Sequence, residues 1–204
     1  MRRAAILLAC AIFSATAQEP EPVYKFGTTV VVPMGLKGQI YHLHSDTQYL
    51  PDFRKLKRVG SIYTSSLNIP PQSFQAGFPG VTKRFEWFAI DYTGRFWVAR
   101  PGMYRFSLMS DDGSKLYIDD ELVIENDGIH AAQEQQGRID LRIGMHRMRV
   151  SYFQGPRFEV ALVLKVAPPQ EPYRVFTTEE FKPPADAQWA DEPEEPQGRK
   201  RKKK

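Results

Sequence analysis

With 204 residues, the chain is long enough for one well-buried domain with tails and short for two. Of its 28 Lys and Arg residues, two lie at Arg2 and Arg3 and six fill Arg199 to Lys204, leaving 20 against 24 Asp and Glu; a mildly acidic body offers no basic nucleic-acid face. The single cysteine, Cys10, excludes a disulfide framework and leaves nothing in the body for thiol catalysis or a zinc-thiolate site.

Arg2 and Arg3 precede an apolar run from Ala4 to Phe13, and Ala15-Thr16-Ala17 then offers the small residues that a signal peptidase reads. Residues 1–17 therefore read as a cleavable secretory signal, with Gln18 as the new amino terminus and a secreted, periplasmic or cell-envelope protein as the product. The run is far below the ~20 apolar residues needed to span a bilayer. Leu7-Leu8-Ala9-Cys10 faintly resembles a lipoprotein box, but cutting there leaves too short an apolar core.

Aromatic residues make up 12% of the chain, and beyond the signal there is no sustained helical period and no internal repeat, so the body reads as β structure. Val30-Val31-Val32 predicts a first strand, halted by Pro33 and Gly35, and Gln39 to Leu43 a second. His42 and His44 share a face on an extended chain, which suits a transition metal; exposed or hydrogen-bonded histidines are the plainer alternative. Leu50 to Gly60 reads as a short helix or loop, with Arg54, Lys55, Lys57 and Arg58 as a solvated charged face. Ser65 to Gly80, with Pro70-Pro71 and Pro79-Gly80, predicts a long loop. Phe85, Trp87 and Ala89 alternate with Glu86, Phe88 and Ile90, and a Thr93-Gly94 turn precedes Phe96-Trp97-Val98.

After a Pro101-Gly102 turn, Tyr104, Phe106 and Leu108 alternate with Arg105, Ser107 and Met109, the period of a half-buried strand. Asp111 and Asp112 then stand at a strand end, on a loop, and a second strand begins at Leu116. Asp119-Asp120 closes a hairpin onto Leu122-Val123-Ile124. Asn126 to Glu134 is a polar loop in which His130 contacts a ligand or ties down neighbouring backbone. Ile139, Leu141 and Ile143 predict one further strand, Met148, Val150 and Tyr152 another, and Val160 to Val166 a last one that closes an antiparallel sandwich. Past Pro168 the prolines and acids bury too little apolar surface to offset ordering entropy, although Phe176 and Phe181 are available to pack back. The expected domain is 30–168, followed by a disordered tail over 185–204. Its basic end, Arg199, Lys200, Arg201, Lys202, Lys203 and Lys204, suits weak contact with an anionic surface.

Five ordered pieces carry a family resemblance: Gly102 to Phe106, Ser110 to Asp119, Leu122 to Ile124, Asn126 to His130, and Gly144 to Gln154. In order and spacing they resemble the signature of the protective-antigen, or PA-fourteen, domain, with weaker likeness at Gly35 to Tyr41 and Phe85 to Phe88. The resemblance implies an all-β fold, an antiparallel β-sandwich with long loops, found in secreted and surface proteins and often binding carbohydrate. It further implies that Asp111 and Asp112, joined by a cis peptide, hold one calcium ion, with Gln154 standing where lectin-like members have Asn. Similar members have Gly where this chain has Asp120. Paired carboxylates with nearby carbonyls are in themselves the ligand set of a hard cation.

The expected function is a non-catalytic, calcium-dependent module for a carbohydrate or cell-envelope glycan, with Asp111, Asp112, Gln154 and His130 at the site and no enzyme activity. Neighbouring acids are a poor fit to glycoside hydrolysis, which needs carboxyls on opposite sides of a bond. There is also no nucleophile elbow, phosphate-cradling loop or zinc-binding helix. A structural envelope protein that bridges partners without a sugar site is the alternative, and a glycan-active enzyme a more distant one.

Overall fold

Alternating apolar residues along consecutive strands leave one face of each sheet to bury, and two such faces close on each other in the computed structural model. It describes residues 35–73, 78, 84, 86–156 and 159–185. The expected strand at Val30-Val31-Val32, the signal at 1–17 with Cys10 and Gln18, residue Phe85 and the basic tail end lie outside the described residues.

One sheet has six strands in the order β2-β1-β4-β9-β6-β7. These are β1 (Leu36–His42), β2 (Arg58–Thr64), β4 (Phe88–Val98), β6 (Ser114–Ile118), β7 (Glu121–Asn126) and β9 (Gly144–Gln154). The facing sheet runs β11-β10-β5-β8, with β3 also paired to β10. Its strands are β3 (Asn68–Ser73), β5 (Gly102–Asp111), β8 (Gln133–Leu141), β10 (Glu159–Ala167) and β11 (Arg174–Val175). All pairings are antiparallel. The two inner faces interdigitate in one core that includes Ile90, Tyr92 and Phe96 of β4, Phe106 and Leu108 of β5, Val150 and Tyr152 of β9, and Leu162 and Leu164 of β10. A smaller cluster of Tyr41, Leu43, Phe53, Ala89 and Phe153 forms separately from that core. There the 3-10 turn Phe53–Lys55, capped by the Asp52 side chain on the Arg54 N–H, folds back on the strands.

Four expectations are corrected. The Thr93-Gly94 turn does not exist: β4 runs unbroken for 11 residues. A Cβ on Gly94 would lie 2.7 Å from Leu36 Cδ2, so that glycine admits a neighbouring side chain instead of bending the chain. The loop expected over 65–80 contains β3, and Pro70-Pro71 falls where its register with β10 shifts between Val160 and Leu162. Proline survives there because an edge strand with a bulge has ladder positions that need no N–H. The segment expected as helix or loop ends in β2, which pairs with β1. Ile143 is 64% exposed and belongs to the connection between β8 and β9, while β8 instead begins inside the expected polar loop, at Gln133.

The packed body also extends past 168. Phe176 and Phe181 are buried, stack on each other with centroids 5.2 Å apart and meet Phe96 edge-on. The Trp97 N–H donates to the Phe181 carbonyl at 2.7 Å, which occupies the edge of β4 beyond its pairing with β1.

The hairpin between β6 and β7 turns through Asp119 and Asp120 at φ 50° and 69°, the left-handed region that favours Gly or Asn. Asp119 is held by the Arg147 N–H at 2.8 Å and by His146 Nδ1 at 2.6 Å, whereas Asp120 meets only the exposed Arg147 guanidinium. Asp120→Gly is therefore expected to stabilise the protein by about 0.5 kcal/mol, read as a higher melting temperature. A lower one would show that the surface ion pair outweighs the backbone.

Candidate cation and ligand site

β5 delivers its last residue, Asp111, to the rim of the sandwich, and Asp112 begins the two-residue link to β6. The Asp111-Asp112 peptide is cis. Gly113 follows because nothing larger fits: a Cβ there would lie 2.4 Å from Phe153 Cε1 and 2.8 Å from the Gly128 nitrogen. The loop after β7 consequently packs directly against the backbone that follows the acid pair.

Both carboxylates are withdrawn from water, Asp111 at 7% exposure and Asp112 at 3%, yet they differ in what surrounds them. Asp112 Oδ1 accepts the His130 N–H at 3.1 Å, and Oδ2 accepts the Gly155 N–H at 2.7 Å and Gln154 Nε2 at 3.4 Å. Asp111 receives one backbone N–H, from Ala132. Burial, then the neighbouring charges of Asp112 and Glu159, push Asp111 up to about 6. Burial also raises Asp112, but the Gly155 and His130 N–H groups oppose the shift, since donors to the charged form favour it. Asp112 thus organises the loops, while Asp111 has a single backbone donor to set against burial and the mutual repulsion of the two carboxylates.

The two acids, Ile129, His130, Ala131, Pro156 and Glu159 line an open cleft of about 440 Å³. Beneath it Ser110 and Ser114 share a 2.7 Å hydrogen bond, and Asn126 Nδ2 donates to Ser110 Oγ at 3.0 Å and to the Gln133 carbonyl at 3.1 Å. The Tyr152 hydroxyl, fully buried, lies 2.8 Å from the Asp111 carbonyl and 2.5 Å from Gln154 Oε1. The rim is thereby fixed from below.

Of the sequence-predicted site residues, Asp111, Asp112 and His130 come together in the cleft. The His130 ring nitrogens lie 2.9 Å from the Ala131 carbonyl and 3.1 Å from that of Asn126, so the ring secures its own loop. Gln154, expected as a further metal ligand, lies beside Asp112. Its Nε2 is ringed by Asp112 Oδ2, the Pro156 carbonyl at 3.4 Å and the Glu159 carbonyl at 3.1 Å, and its amide oxygen faces Tyr152. Three acceptors orient the nitrogen toward Asp112. Ile129, Ala131, Pro156 and Glu159 were not legible as site residues, though the Gly155-Pro156 turn marks the loop that brings in Glu159.

The donors that remain, two desolvated carboxylates and only oxygen, fit a hard cation. Among the described residues no three His, Cys, Asp or Glu side chains converge on one metal position, so further ligands would have to be carbonyls, water or hydroxyls. His42 and His44 are both exposed and join no such group. Arg54 and Lys55 of the basic cluster pair with Asp52 at the surface.

A family model described as the PA14 domain matches residues 59–179. Among solved structures, the chain is similar to a PA14 sugar-binding domain from an RTX adhesin at 17% identity and a TM-score of 0.58, covering 72% of this chain and 96% of that one. It is similar to the epithelial adhesin 9 A domain from Candida glabrata, solved in complex with Galb1-3GlcNAc, at 13% identity and TM-score 0.52, covering 72% and 88%. An anti-sigma factor domain-containing protein matches at 18% and 0.59 over 77% of this chain, which spans about half of that chain, 51%. At these identities the likeness is one of fold. No curated protein matches the chain in sequence.

The unequal acids make opposite predictions. In metal-free buffer, Asp111 is protonated more readily in the folded than in the unfolded chain, so folding stability falls as pH rises from about 4 to about 6 and then levels off. Asp111→Asn should flatten that fall and stabilise the protein at pH 7 by about 1 kcal/mol, allowing for solvent screening at the open cleft. Asp112→Ala should destabilise it by roughly 2 to 3 kcal/mol by orphaning buried donors. Urea titrations across pH check both, and equal effects of the two variants would contradict the division.

Proposed function

Because the chain belongs to the PA14 domain family, we propose that it is a non-catalytic binding module for a carbohydrate or cell-envelope glycan, assisted by a divalent cation such as calcium. The observation that carries this is the cleft itself: two adjacent, buried carboxylates at a rigid strand end, opening to solvent between two loops that Asp112 ties together. A bound cation would neutralise the acid pair and offer open coordination positions to vicinal sugar hydroxyls. Asp111 and Asp112 would hold it; Gln154 instead keeps Asp112 and the 156–159 backbone in place.

Two structural relatives, a sugar-binding adhesin domain and an adhesin domain in complex with Galb1-3GlcNAc, lend support to the carbohydrate reading. The acid pair lends none to glycoside hydrolysis. Adjacent residues sharing one cleft do not flank a scissile bond, and Asp112 already accepts three N–H donors. Arg2-Arg3 with the following apolar run and Ala15-Thr16-Ala17 support export, and the basic run 199–204 suits weak attachment to an anionic surface of the envelope.

A glycan array probed in millimolar calcium and again in EDTA tests the proposal. Saturable, EDTA-sensitive retention is expected, with Asp111→Asn at least tenfold weaker and calorimetric calcium binding reduced in step. Binding that persists unchanged in EDTA would remove the cation from the mechanism. An array without saturable binding would favour a protein that bridges partners without a sugar site, and turnover of a glycoside would overturn the non-catalytic reading.

A further inference from the structure

Tyr49 is 67% exposed, the most exposed of the large hydrophobic side chains among the described residues. The backbone beside it is nevertheless tied down. The N–H of the next residue, Leu50, donates to Asp127 Oδ1 at 2.8 Å, and the same oxygen accepts the Gly128 N–H at 2.9 Å. Lys115 Nζ holds the other oxygen of Asp127 at 3.0 Å. One carboxylate therefore joins the β1–β2 connection to the loop after β7, and the Tyr49 ring lies against that loop, 3.9 Å from where a Gly128 Cβ would stand.

That contact borders the cleft. Gly128 packs on Gly113, the residue after Asp112, and the next two residues, Ile129 and His130, line the cavity. Ile129 is itself 38% exposed, and from a Cβ built on Gly155 its Cγ1 would be 3.5 Å away and Asp112 Oδ2 3.1 Å. Exposed apolar residues scattered singly carry no meaning, but Ile129 lines the polar cleft and Tyr49 lies against the loop that carries it. Polar groups that fix a ligand's orientation next to a rigid aromatic surface are the usual composition of a ligand pocket.

We propose that Tyr49, with Ile129 beside it, is the apolar platform of this site: a pyranose held through its hydroxyls at Asp111 and Asp112 lays its C–H face on the Tyr49 ring. The inference rests on the carbohydrate reading above and adds the residue that would select a sugar with an unobstructed apolar face. Tyr suits the role because two side-chain torsions fix its ring, so little entropy is lost on contact. The hydroxyl is not needed for stacking.

The full chain, its Tyr49→Ala and Tyr49→Phe variants and Asp111→Asn are to be titrated in calcium with free galactose, glucose, mannose, fucose and N-acetylglucosamine, with melting temperature as the check of fold. Tyr49→Ala should bind the preferred sugar about tenfold more weakly and Tyr49→Phe within about twofold of wild type, with melting temperatures unchanged. If wild type binds, Asp111→Asn does not, and Tyr49→Ala binds as wild type does, the platform is wrong while the cation site stands. If wild type binds none of these sugars, the carbohydrate reading falls and the platform with it.

Discussion

The Asp112 carboxylate is the interaction on which the candidate site depends. It receives the N–H of His130 from the loop after β7, the N–H of Gly155 from the loop after β9, and the amide of Gln154 at the end of β9. Two segments remote from each other in sequence, around His130 and at Gln154-Gly155, are thereby brought to one strand end. A buried carboxylate lacking such donors would be costly, and buried N–H groups lacking an acceptor equally so. Each satisfies the other, and the loops they belong to become the walls of the cleft.

Such a tie needs a floor that does not yield. Tyr152 supplies part of it, with its ring stacked on Phe78 at 5.4 Å and edge-on to Phe88 at 6.2 Å inside the core, and its hydroxyl at the Asp111 carbonyl. Ser110, Ser114, Asn126 and Gln133 complete it with a hydrogen-bonded chain between the two sheets. Removing any one member leaves the rest partly unsatisfied, so the network specifies the arrangement as well as stabilising it.

Much of this was legible. The period-two alternation of Tyr104, Phe106 and Leu108, and of Met148, Val150 and Tyr152, located inner faces that the structure buries, and Asp111 and Asp112 were found from their own position at a strand end. What failed was whatever depended on a distant partner. Pro70-Pro71 reads as loop until β10 is known to run beside it, and Thr93-Gly94 reads as a turn until Leu36 is seen to need the space. The direction of the Gln154 amide is likewise set by acceptors as far off as Asp112, 42 positions earlier in the chain. Local pattern carries no information about such pairings.

The two ends of the sandwich solve the same problem differently. At the end of β4 and the start of β9, Phe96 is covered by Phe176 and Phe181, supplied by a chain segment that returns after β10 to close the apolar layer. At the start of β4 and the end of β9, where Phe88 pairs with Gln154, Phe78 from the segment between β3 and β4 lies edge-on to Phe88 and stacks on Tyr152. Beyond those rings the backbone and carboxylate network around Asp112 finishes the rim. Rings exclude water at both ends, whereas oriented N–H groups around two carboxylates can face a cleft that stays open to solvent. Among the described residues the buried acids Asp111 and Asp112 stand at this end, and the cleft opens there.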